Sequence, residues 1–252
     1  MTQAVALTVA DAHREDPRCV AIVPAYNEEA SIAEVVCELR AFDPDLEVVV
    51  VDDGSTDATA ACAAEAGARV LRLPLNLGIG GAVQAGYMYA LERSFDVAVQ
   101  VDGDGQHDAG ELGRLLEPVL AGRADMAIGT RFSGLRAYRA PLARRIGIGM
   151  FAALVSLRVR QRMTDTTSGF RAVNHRGIRL FAADYPHDYP EVEAVVTAAR
   201  GNLRVCEVPV VMRPRLAGQS SITPFRSFYY VVKVLLALFV GLFPRQPLVA
   251  DE

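Results

Sequence analysis

Two aspartates, Asp102 and Asp104, are separated by one glycine and directly follow the largely apolar segment 97–101. Carboxylates are the hard oxygen ligands that Mg²⁺ and similar divalent cations prefer in proteins. A strand that ends in such a pair brings it to the carboxyl edge of a sheet, where open α/β folds bind their ligands. The pattern therefore predicts a divalent-cation site, with an ordinary Asp-Gly surface turn as the alternative.

Two other apolar segments also end in polar residues. The segment 19–23 is followed by Pro-Ala-Tyr-Asn-Glu at 24–28, and the segment 47–51 is followed by Asp-Asp-Gly-Ser-Thr-Asp at 52–57. A sequence typical of a helix follows each polar stretch. Because the carboxyl ends of parallel strands meet at one edge of a sheet, we expect the three polar stretches to lie together.

The chain as a whole alternates between strand-like and helix-like segments, and a turn is predicted at 166–169. Ser31 with Glu34 is a candidate capping box for the first helix, and Ser55 or Thr56 is a candidate cap for the second. The alternation predicts an α/β fold with a largely parallel sheet. The predicted strands are 19–23, 47–51, 69–73, 96–101, 125–129 and 203–212, and the predicted helices are 31–40, 55–67, 80–93, 111–121, 141–160 and 191–200.

The composition narrows the class of protein. A chain of 252 residues with 51% hydrophobic content fits one sizeable domain. Its four cysteines are widely spaced with no Cys-x-x-Cys, which predicts free thiols rather than disulfides or a zinc site. A net charge of −4 argues against nucleic-acid binding, which needs a broad basic face.

The two ends of the chain differ in character. Residues 1–17 are polar and acidic, and we expect a flexible tail there. Residues 226–244 contain a nearly unbroken apolar stretch, interrupted by Lys233, that is shorter than the roughly twenty residues a bilayer crossing needs. We expect a C-terminal apolar helix that lies in a membrane interface, packs on a partner or completes the core.

Six short motifs together resemble family 2 glycosyltransferases of the GT-A fold, and most of all the dolichol-phosphate-mannose synthase branch. They are Pro-Ala-Tyr-Asn-Glu at 24–28, Asp-Asp-Gly-Ser-Thr-Asp at 52–57, Asn-Leu-Gly at 76–78, Asp-Gly-Asp-Gly-Gln-His at 102–107, Thr-Ser-Gly-Phe-Arg at 167–171 and Gly-Gln-Ser-Ser-Ile at 218–222. The resemblance implies a Rossmann-like GT-A catalytic domain over 18–225. It also implies metal-dependent, inverting transfer of a sugar from a UDP- or GDP-sugar to a polyprenyl phosphate.

The resemblance also assigns residues to roles. It implies Mg²⁺ or Mn²⁺ held by Asp102, Asp104 and Gln106. The position of His107 fits either a cation or donor contact or a turn residue. The implied donor pocket comprises Pro24, Ala25, Tyr26, Glu28, Asp53, Gly78, Asp102, Gly103, Asp104 and Gln106. Catalytic roles fall on Asp104 and on the motif residues Arg131 and Arg171, which are also the first acceptor contacts. Apart from the resemblance, Glu191 is a catalytic candidate as a base, and Ser168, Arg213 and Ser221 are further candidates for acceptor contacts.

The nature of the acceptor follows from proton chemistry. A hydroxyl acceptor needs a general base, whereas a phosphate monoester is already mostly ionised at neutral pH. Residues 131–162 contain eight arginines and no acidic residue, which favours a phosphate or an anionic membrane as their partner. Asp188, Glu191 and Glu193 leave the base-assisted alternative open.

These observations predict a peripheral enzyme at the inner, cytoplasmic face of the cell membrane, in contact with the membrane or a membrane partner. The sequence leaves the oligomeric state open, with a homo-oligomer as one option. Processive polysaccharide synthesis is disfavoured because its Gln-x-x-Arg-Trp motif needs a tryptophan, and this chain has none. A sugar nucleotidyltransferase and a noncatalytic nucleotide-sugar-binding subunit are the alternatives from other classes.

Overall fold

The structure is a computed structural model, and it describes residues 17–130, 163, 165, 167–187 and 190–213. Several predicted features lie outside the described residues. They are the tail at 1–17 apart from its last residue, the arginine-rich segment 131–162 with the helix at 141–160, the Gly-Gln-Ser-Ser-Ile motif at 218–222 and the apolar helix at 226–244. Arg131 and Ser221 also lie outside them.

The described residues form seven strands and six α-helices. The strands are β1 Cys19–Ala25, β2 Glu47–Asp52, β3 Arg69–Arg72, β4 Val97–Gln100, β5 Met126–Thr130, β6 Arg171–Asn174 and β7 Val205–Pro209. The helices are α1 Ile32–Phe42, α2 Thr59–Glu65, α3 Gly78–Glu92, α4 Leu112–Leu120, α5 His175–Ala183 and α6 Pro190–Arg200. A short 3-10 turn, Ala109–Glu111, precedes α4.

All seven strands join one sheet in the order β3-β2-β1-β4-β6-β5-β7. Only β6 runs against its neighbours, because its pairings with β4 and β5 are antiparallel and the other pairings are parallel. The α/β fold with a mostly parallel sheet is therefore confirmed. The carboxyl ends of β1, β2 and β4 meet at one edge, which we call the carboxyl edge.

Helices cover both faces of the sheet because the buried strands carry apolar side chains on both sides. Helices α3, α5 and α6 pack on one face, and α1, α2 and α4 pack on the other. Helix α3 approaches β1 closely at Gly86, where an added Cβ would lie 2.2 Å from a methyl carbon of Ile22. This contact fixes the strand that carries the first polar stretch.

Helix boundaries differ from the sequence prediction at two caps. The hydroxyl of Ser31 does not cap α1; it donates instead to the Gly103 carbonyl at 2.8 Å, and its oxygen also lies 3.0 Å from a carboxylate oxygen of Glu28. Helix α2 begins at Thr59, whose backbone N–H donates to Asp57 rather than to residue 55 or 56. In both places the serine and threonine side chains bond to other loops of the carboxyl edge.

Strand β6 and helix α5 were not predicted from the sequence. The strand is only four residues long and begins with an arginine, so it lacks an extended apolar run. Helix α5 does carry a local signal, because the Asn174 side chain accepts a hydrogen bond from the backbone N–H of Gly177 at its start.

Candidate active site

The three polar stretches lie side by side at the carboxyl edge, as predicted. The backbone N–H of Asp53 donates to the Ala25 carbonyl at 2.9 Å, which joins the ends of β1 and β2. Val101 donates to the Ile22 carbonyl at 3.0 Å and continues the pairing of β4 with β1. The Ser31 hydroxyl, bonded to the Gly103 carbonyl, links the start of α1 to the loop after β4.

Asp53 is a buried carboxylate with a backbone donor. Its side chain accepts a hydrogen bond of 2.7 Å from the N–H of Leu77, and the residue is only 3% exposed. Burial raises the pKa of Asp53, the amides of Leu77 and Gly78 counteract that rise, and the charge on Asp52 adds to it. Among the described residues, backbone amides and no cationic side chains donate hydrogen bonds to the Asp53 carboxylate, which is the predicted donor contact.

The loop at 26–29 is tied to the turn at 52–57. Asn27 has a left-handed backbone with φ of 55°, and its side-chain oxygen accepts from the N–H of Thr56 at 2.9 Å. Glu28 donates its N–H to the Thr59 hydroxyl at 2.8 Å. Tyr26 points into solvent with 48% of its surface exposed, so its ring is accessible to a flat ligand such as a base.

The other predicted donor residues lie around this loop. Pro24 and Ala25 are buried at the end of β1. Gly78 begins α3 with φ of 81°, and an added Cβ there would meet no atom of the described residues within 4 Å. The start of α3 therefore faces open space beside the Asp53 contact.

The acidic loop, defined here as residues 102–108, forms a tight turn. The carboxylate of Asp104 accepts the N–H of Gln106 at 3.0 Å, and Gly105 has a left-handed φ of 78°. An added Cβ at Gly103 would lie 3.2 Å from the Pro24 carbonyl. Glycine at 103 allows the acidic loop to lie directly against the first polar stretch.

His107 is packed against Asp102. Its Nδ1 accepts the N–H of Asp102 at 3.0 Å, so a neutral ring carries its proton on Nε2, which lies 3.5 Å from a carboxylate oxygen of Asp102. The ring is 6% exposed and stacks on Phe170 with 4.7 Å between centroids. His107 therefore orients the Asp102 carboxylate from behind, as a turn residue of the acidic loop.

The segment 167–171 covers the other side of Asp102. An added Cβ at Gly169 would lie 2.9 Å from one Asp102 carboxylate oxygen and 3.0 Å from the other. Any larger residue at 169 would displace that carboxylate. The glycine in this predicted motif thus has a direct steric reason.

The donor set at this edge fits a hard divalent cation. Asp102 and Asp104 supply carboxylate oxygens, and Asp102 keeps 30% of its side chain exposed. Within the described ranges no group of three His, Cys, Asp or Glu side chains forms a complete metal cage. Two carboxylates suffice for Mg²⁺ when substrate phosphates and water provide the remaining ligands.

Arg171 lies below this edge and is 1% exposed. Its guanidinium donates to three backbone carbonyls: that of Ser168 at 2.7 Å, that of Pro190 at 3.4 Å and that of Glu191. The structure thus places Arg171 between the 168–169 backbone and the first turn of α6. Its predicted contact with the acceptor stays a prediction, and the visible contacts are those of a residue that positions backbone.

Ser168 and Glu191 are held by this arrangement. Ser168 is 2% exposed, and its hydroxyl accepts the N–H of Phe170 at 3.3 Å. Glu191 is half-buried at the start of α6. Burial raises the pKa of Tyr185 well above its usual range, and the charges of Glu191 and Asp102 both add to the rise. Glu191 is joined to the 168–169 backbone through Arg171, which donates to the carbonyls of both Ser168 and Glu191.

Arg213 is engaged in two ion pairs. Its guanidinium donates to Glu38 at 2.6 Å and to Asp108 at 2.7 Å. These hydrogen bonds, that with Glu38 first, raise the pKa of Arg213. Sequence reasoning missed both carboxylates, because partners 175 and 105 residues away produce no local pattern.

Comparison with known proteins identifies the family of the chain. The family described as Glycosyl transferase family 2 matches residues 20–203. An undecaprenyl-phosphate mannosyltransferase of Micrococcus luteus is 33% identical over 82% of this chain and 88% of its own length. A polyprenol monophosphomannose synthase of Mycolicibacterium smegmatis is 32% identical over 83% of each chain.

Two further similarities are more distant. A UDP-N-acetylglucosamine–dolichyl-phosphate N-acetylglucosaminyltransferase of Methanococcus voltae is 27% identical over 75% of this chain and 83% of its own length. The crystal structure of glucosyl-3-phosphoglycerate synthase from Mycobacterium tuberculosis with Mn²⁺ and UDP superposes with a TM-score of 0.67 at 21% identity. It covers 91% of this chain and 82% of that one, and the likeness concerns the fold.

Proposed function

The chain belongs to glycosyl transferase family 2 and is a glycosyltransferase, and we propose that it transfers one sugar from a UDP- or GDP-sugar to a polyprenyl phosphate. The observation that carries the donor side is the convergence of Asp53, Asp102 and Asp104 at one sheet edge. Two relatives at 32–33% identity support the acceptor side. One is an undecaprenyl-phosphate mannosyltransferase, and the other is a polyprenol monophosphomannose synthase.

The donor would lie across the carboxyl edge. The carboxylate of Asp53 would accept a hydrogen bond from the base or ribose. Tyr26 would contact the base, and Pro24, Ala25 and Glu28 would shape its pocket. The open space in front of Gly78 leaves room for the backbone of α3 to approach the nucleotide.

The diphosphate would lie against the acidic loop. Asp102, Asp104 and Gln106 would hold Mg²⁺ or Mn²⁺, and that cation would neutralise the charge that develops on the departing nucleoside diphosphate. His107 and Gly169 fix the Asp102 carboxylate from two sides. The site thus supplies oriented carboxylates before the donor arrives.

The transfer step needs no general base for a phosphate acceptor. A phosphate oxygen forms a bond to the anomeric carbon while the bond from that carbon to the diphosphate breaks, and the electron pair leaves with the nucleoside diphosphate. Attack from the opposite face inverts the anomeric configuration. At pH 7 the acceptor phosphate, with a second pKa near 6, is already mostly a dianion.

The acceptor phosphate needs positive charge and hydrogen-bond donors. Arg131, Ser168 and Ser221 are the proposed contacts, and Arg171 would act through the 168–169 backbone that it holds. We place the enzyme at the cytoplasmic face of the cell membrane, where residues 226–244 would contact the lipid or a membrane partner. No helix within the described ranges is both long and apolar enough to cross a bilayer.

The proposed function is tested by direct transfer. The purified protein is incubated with Mn²⁺, a short polyprenyl phosphate and labelled UDP-glucose, UDP-N-acetylglucosamine or GDP-mannose in turn. We expect label in the organic phase with one donor, and none when polyprenol replaces its phosphate. Asp102→Asn combined with Asp104→Asn removes both carboxylates. Asp45→Asn, at an exposed position on the opposite edge, is the matched control.

Transfer to polyprenol, or to a water-soluble hydroxyl compound alone, would contradict the phosphate acceptor. The second candidate function is transfer to such a hydroxyl with Glu191 as base. It is favoured because the Arg171 guanidinium bonds both the Glu191 and the Ser168 carbonyl, and the neighbouring Gly169 packs on Asp102. Loss of a general base lowers kcat by about 10²–10⁴-fold. Glu191→Gln would show that loss with intact donor binding only if the acceptor is a hydroxyl.

A further inference from the structure

The chain segment after β7 runs directly beside the acidic loop. Val210 donates its N–H to the Thr130 carbonyl at 3.1 Å and prolongs the pairing of β7 with β5. Met212 then forms an antiparallel bridge with His107, and the N–H of Arg213 donates to the Gln106 carbonyl at 2.9 Å. Backbone contacts therefore attach residues 212–213 to the second half of the acidic loop.

The side chain of Arg213 adds a second attachment. One guanidinium nitrogen binds Glu38 on α1, and another binds Asp108 at the end of the acidic loop. Such a planar fork can hold two carboxylates in fixed relative positions, which a lysine ammonium does less well. The arrangement joins α1, the acidic loop and the chain that follows β7 at a single residue.

Residues of the acidic loop connect Arg213 to the carboxylates of Asp102 and Asp104. Gln106, which accepts its backbone N–H, also donates to Asp104, and His107, which pairs with Met212, bonds to Asp102. We propose that Arg213 is a positioning residue that holds residues 106–108, and through them Asp102 and Asp104, in the geometry that receives the cation and diphosphate. This inference rests on the proposed function, and it replaces the predicted acceptor contact of Arg213 with another role.

The two roles for Arg213 make opposite demands on Glu38 and Asp108. An arginine that binds an acceptor phosphate gains from losing two competing carboxylates. An arginine that positions the acidic loop needs both of them. Loss of a group that orients metal ligands typically weakens metal affinity by 10–100-fold.

The experiment compares Arg213→Gln with the double variant Glu38→Gln, Asp108→Asn. Asparagine at 108 keeps the oxygen that accepts the N–H of Gly110, so the 3-10 turn keeps its cap. Mn²⁺ binding is measured by the loss of the free-ion electron paramagnetic resonance signal, with UDP and with GDP present. We expect both variants to bind Mn²⁺ about tenfold more weakly than the wild type, with an unchanged KM for the polyprenyl phosphate.

Unchanged Mn²⁺ affinity in either variant would overturn the proposal, as would a rise of the acceptor KM alone in Arg213→Gln. Amide hydrogen exchange of residues 102–108 in metal-free protein supplies an independent readout. We expect faster exchange there in both variants, and equal rates would overturn the proposal even if the wild type binds no Mn²⁺. If the wild type binds no Mn²⁺ and residues 102–108 exchange faster in both variants, the result counts against the proposed function. The role of Arg213 in holding the loop is then still supported. If Arg213→Gln does not fold, the double variant decides.

Discussion

Two opposite edges of the same sheet bury aspartates in different ways. At the amino edge, Asp125 precedes β5 and is 1% exposed, and at the carboxyl edge, Asp53 follows β2 and is 3% exposed. The two residues are equally buried, but their partners differ. We propose that this difference separates a carboxylate that stabilises the fold from one that is available to a ligand.

Asp125 is surrounded by cationic and amide donors. Arg204 donates to it from its side chain at 3.1 Å and from its backbone at 2.8 Å, and Arg176 and Asn174 add further hydrogen bonds. The hydrogen bonds from the Arg204 side chain are the main reason why the pKa of Asp125 lies far below its usual range. This cluster joins β5, the start of α5 and the chain before β7.

Asp53 has a backbone amide where Asp125 has guanidinium groups. Burial raises its pKa, and the neighbouring Asp52 adds to that effect. A folded protein keeps such a carboxylate at some cost in stability, which is common for residues that bind or catalyse. A series of Asp→Asn substitutions, with Asp45→Asn as the exposed control, tests the comparison.

The largest effect is expected for Asp104→Asn. Asparagine keeps the oxygen that accepts the N–H of Gln106, so the turn of the acidic loop is retained. It removes a charge that the proposed cation would need, and loss of such electrostatic stabilisation lowers kcat by about 10²–10³-fold. The measurement is kcat in the transfer assay together with the thermal unfolding midpoint, which we expect to change little.

A matched result at the amino edge sharpens this prediction. Asp104→Asn should lower activity and leave stability nearly unchanged, whereas Asp125→Asn should lower stability and leave the activity of the folded protein nearly unchanged. A large drop in the unfolding midpoint of Asp104→Asn, with activity per folded molecule unchanged, would place Asp104 in the structural class.

The second prediction concerns Asp125→Asn. The substitution removes the negative charge that accepts hydrogen bonds from Arg204 and Arg176. Hydrogen bonds to charged groups contribute about 1.5–3 kcal/mol. We expect the free energy of unfolding to fall by about 2 kcal/mol, with donor affinity unchanged in the folded protein. Urea unfolding at pH 7 measures the loss, and equal stability of variant and wild type would contradict the structural role.

The pH dependence of this difference has a definite sign. The pKa of Asp125 is lower in the folded than in the unfolded chain. Its stabilisation is therefore fully present above the unfolded value of about 3.9 and is lost as the pH falls below it. The difference in the free energy of unfolding between wild type and Asp125→Asn should shrink as the pH falls from about 5 to about 2. A gap that widens on acidification would contradict the assignment.

The two edges also differ in what their sequences reveal. The strands β1, β2 and β4 are apolar runs that end in polar motifs, so both the strands and the convergence of Asp53, Asp102 and Asp104 follow from local patterns. The partners of Asp125 lie 49 to 79 residues away along the chain, and no sequence motif predicts these pairings. Local chemistry is readable from the sequence, and long-range ion pairs need the fold.

Arginines illustrate the same limit. Arg171 was assigned to the acceptor because it occurs in a family motif, and Arg213 was added as a further positive charge for the acceptor phosphate. In the fold, Arg171 is buried against backbone carbonyls, and Arg213 bridges Glu38 and Asp108. An arginine in a sequence motif shows that a positive charge is needed, but only its neighbours show whether it meets a substrate or the protein itself.

The smallest change in stability is expected for Asp53→Asn. The asparagine oxygen can still accept the N–H of Leu77, and the substitution removes a buried charge. Because the folded-state pKa of Asp53 is raised, the wild type loses stability from this group as the pH rises above about 4. The variant should therefore be as stable as the wild type, or slightly more stable, at pH 7, and this difference should vanish at low pH.

Binding decides which class Asp53 belongs to. If its carboxylate accepts a hydrogen bond from the nucleoside, Asp53→Asn should weaken UDP or GDP binding about tenfold, since a hydrogen bond to a charged group contributes about 1.5–3 kcal/mol. Isothermal titration calorimetry with Mn²⁺ measures this directly, and Asp45→Asn should bind as the wild type does. A variant that loses stability while it binds nucleotide normally would show that Asp53, like Asp125, serves the fold, and the contrast between the two edges would then rest on Asp102 and Asp104 alone.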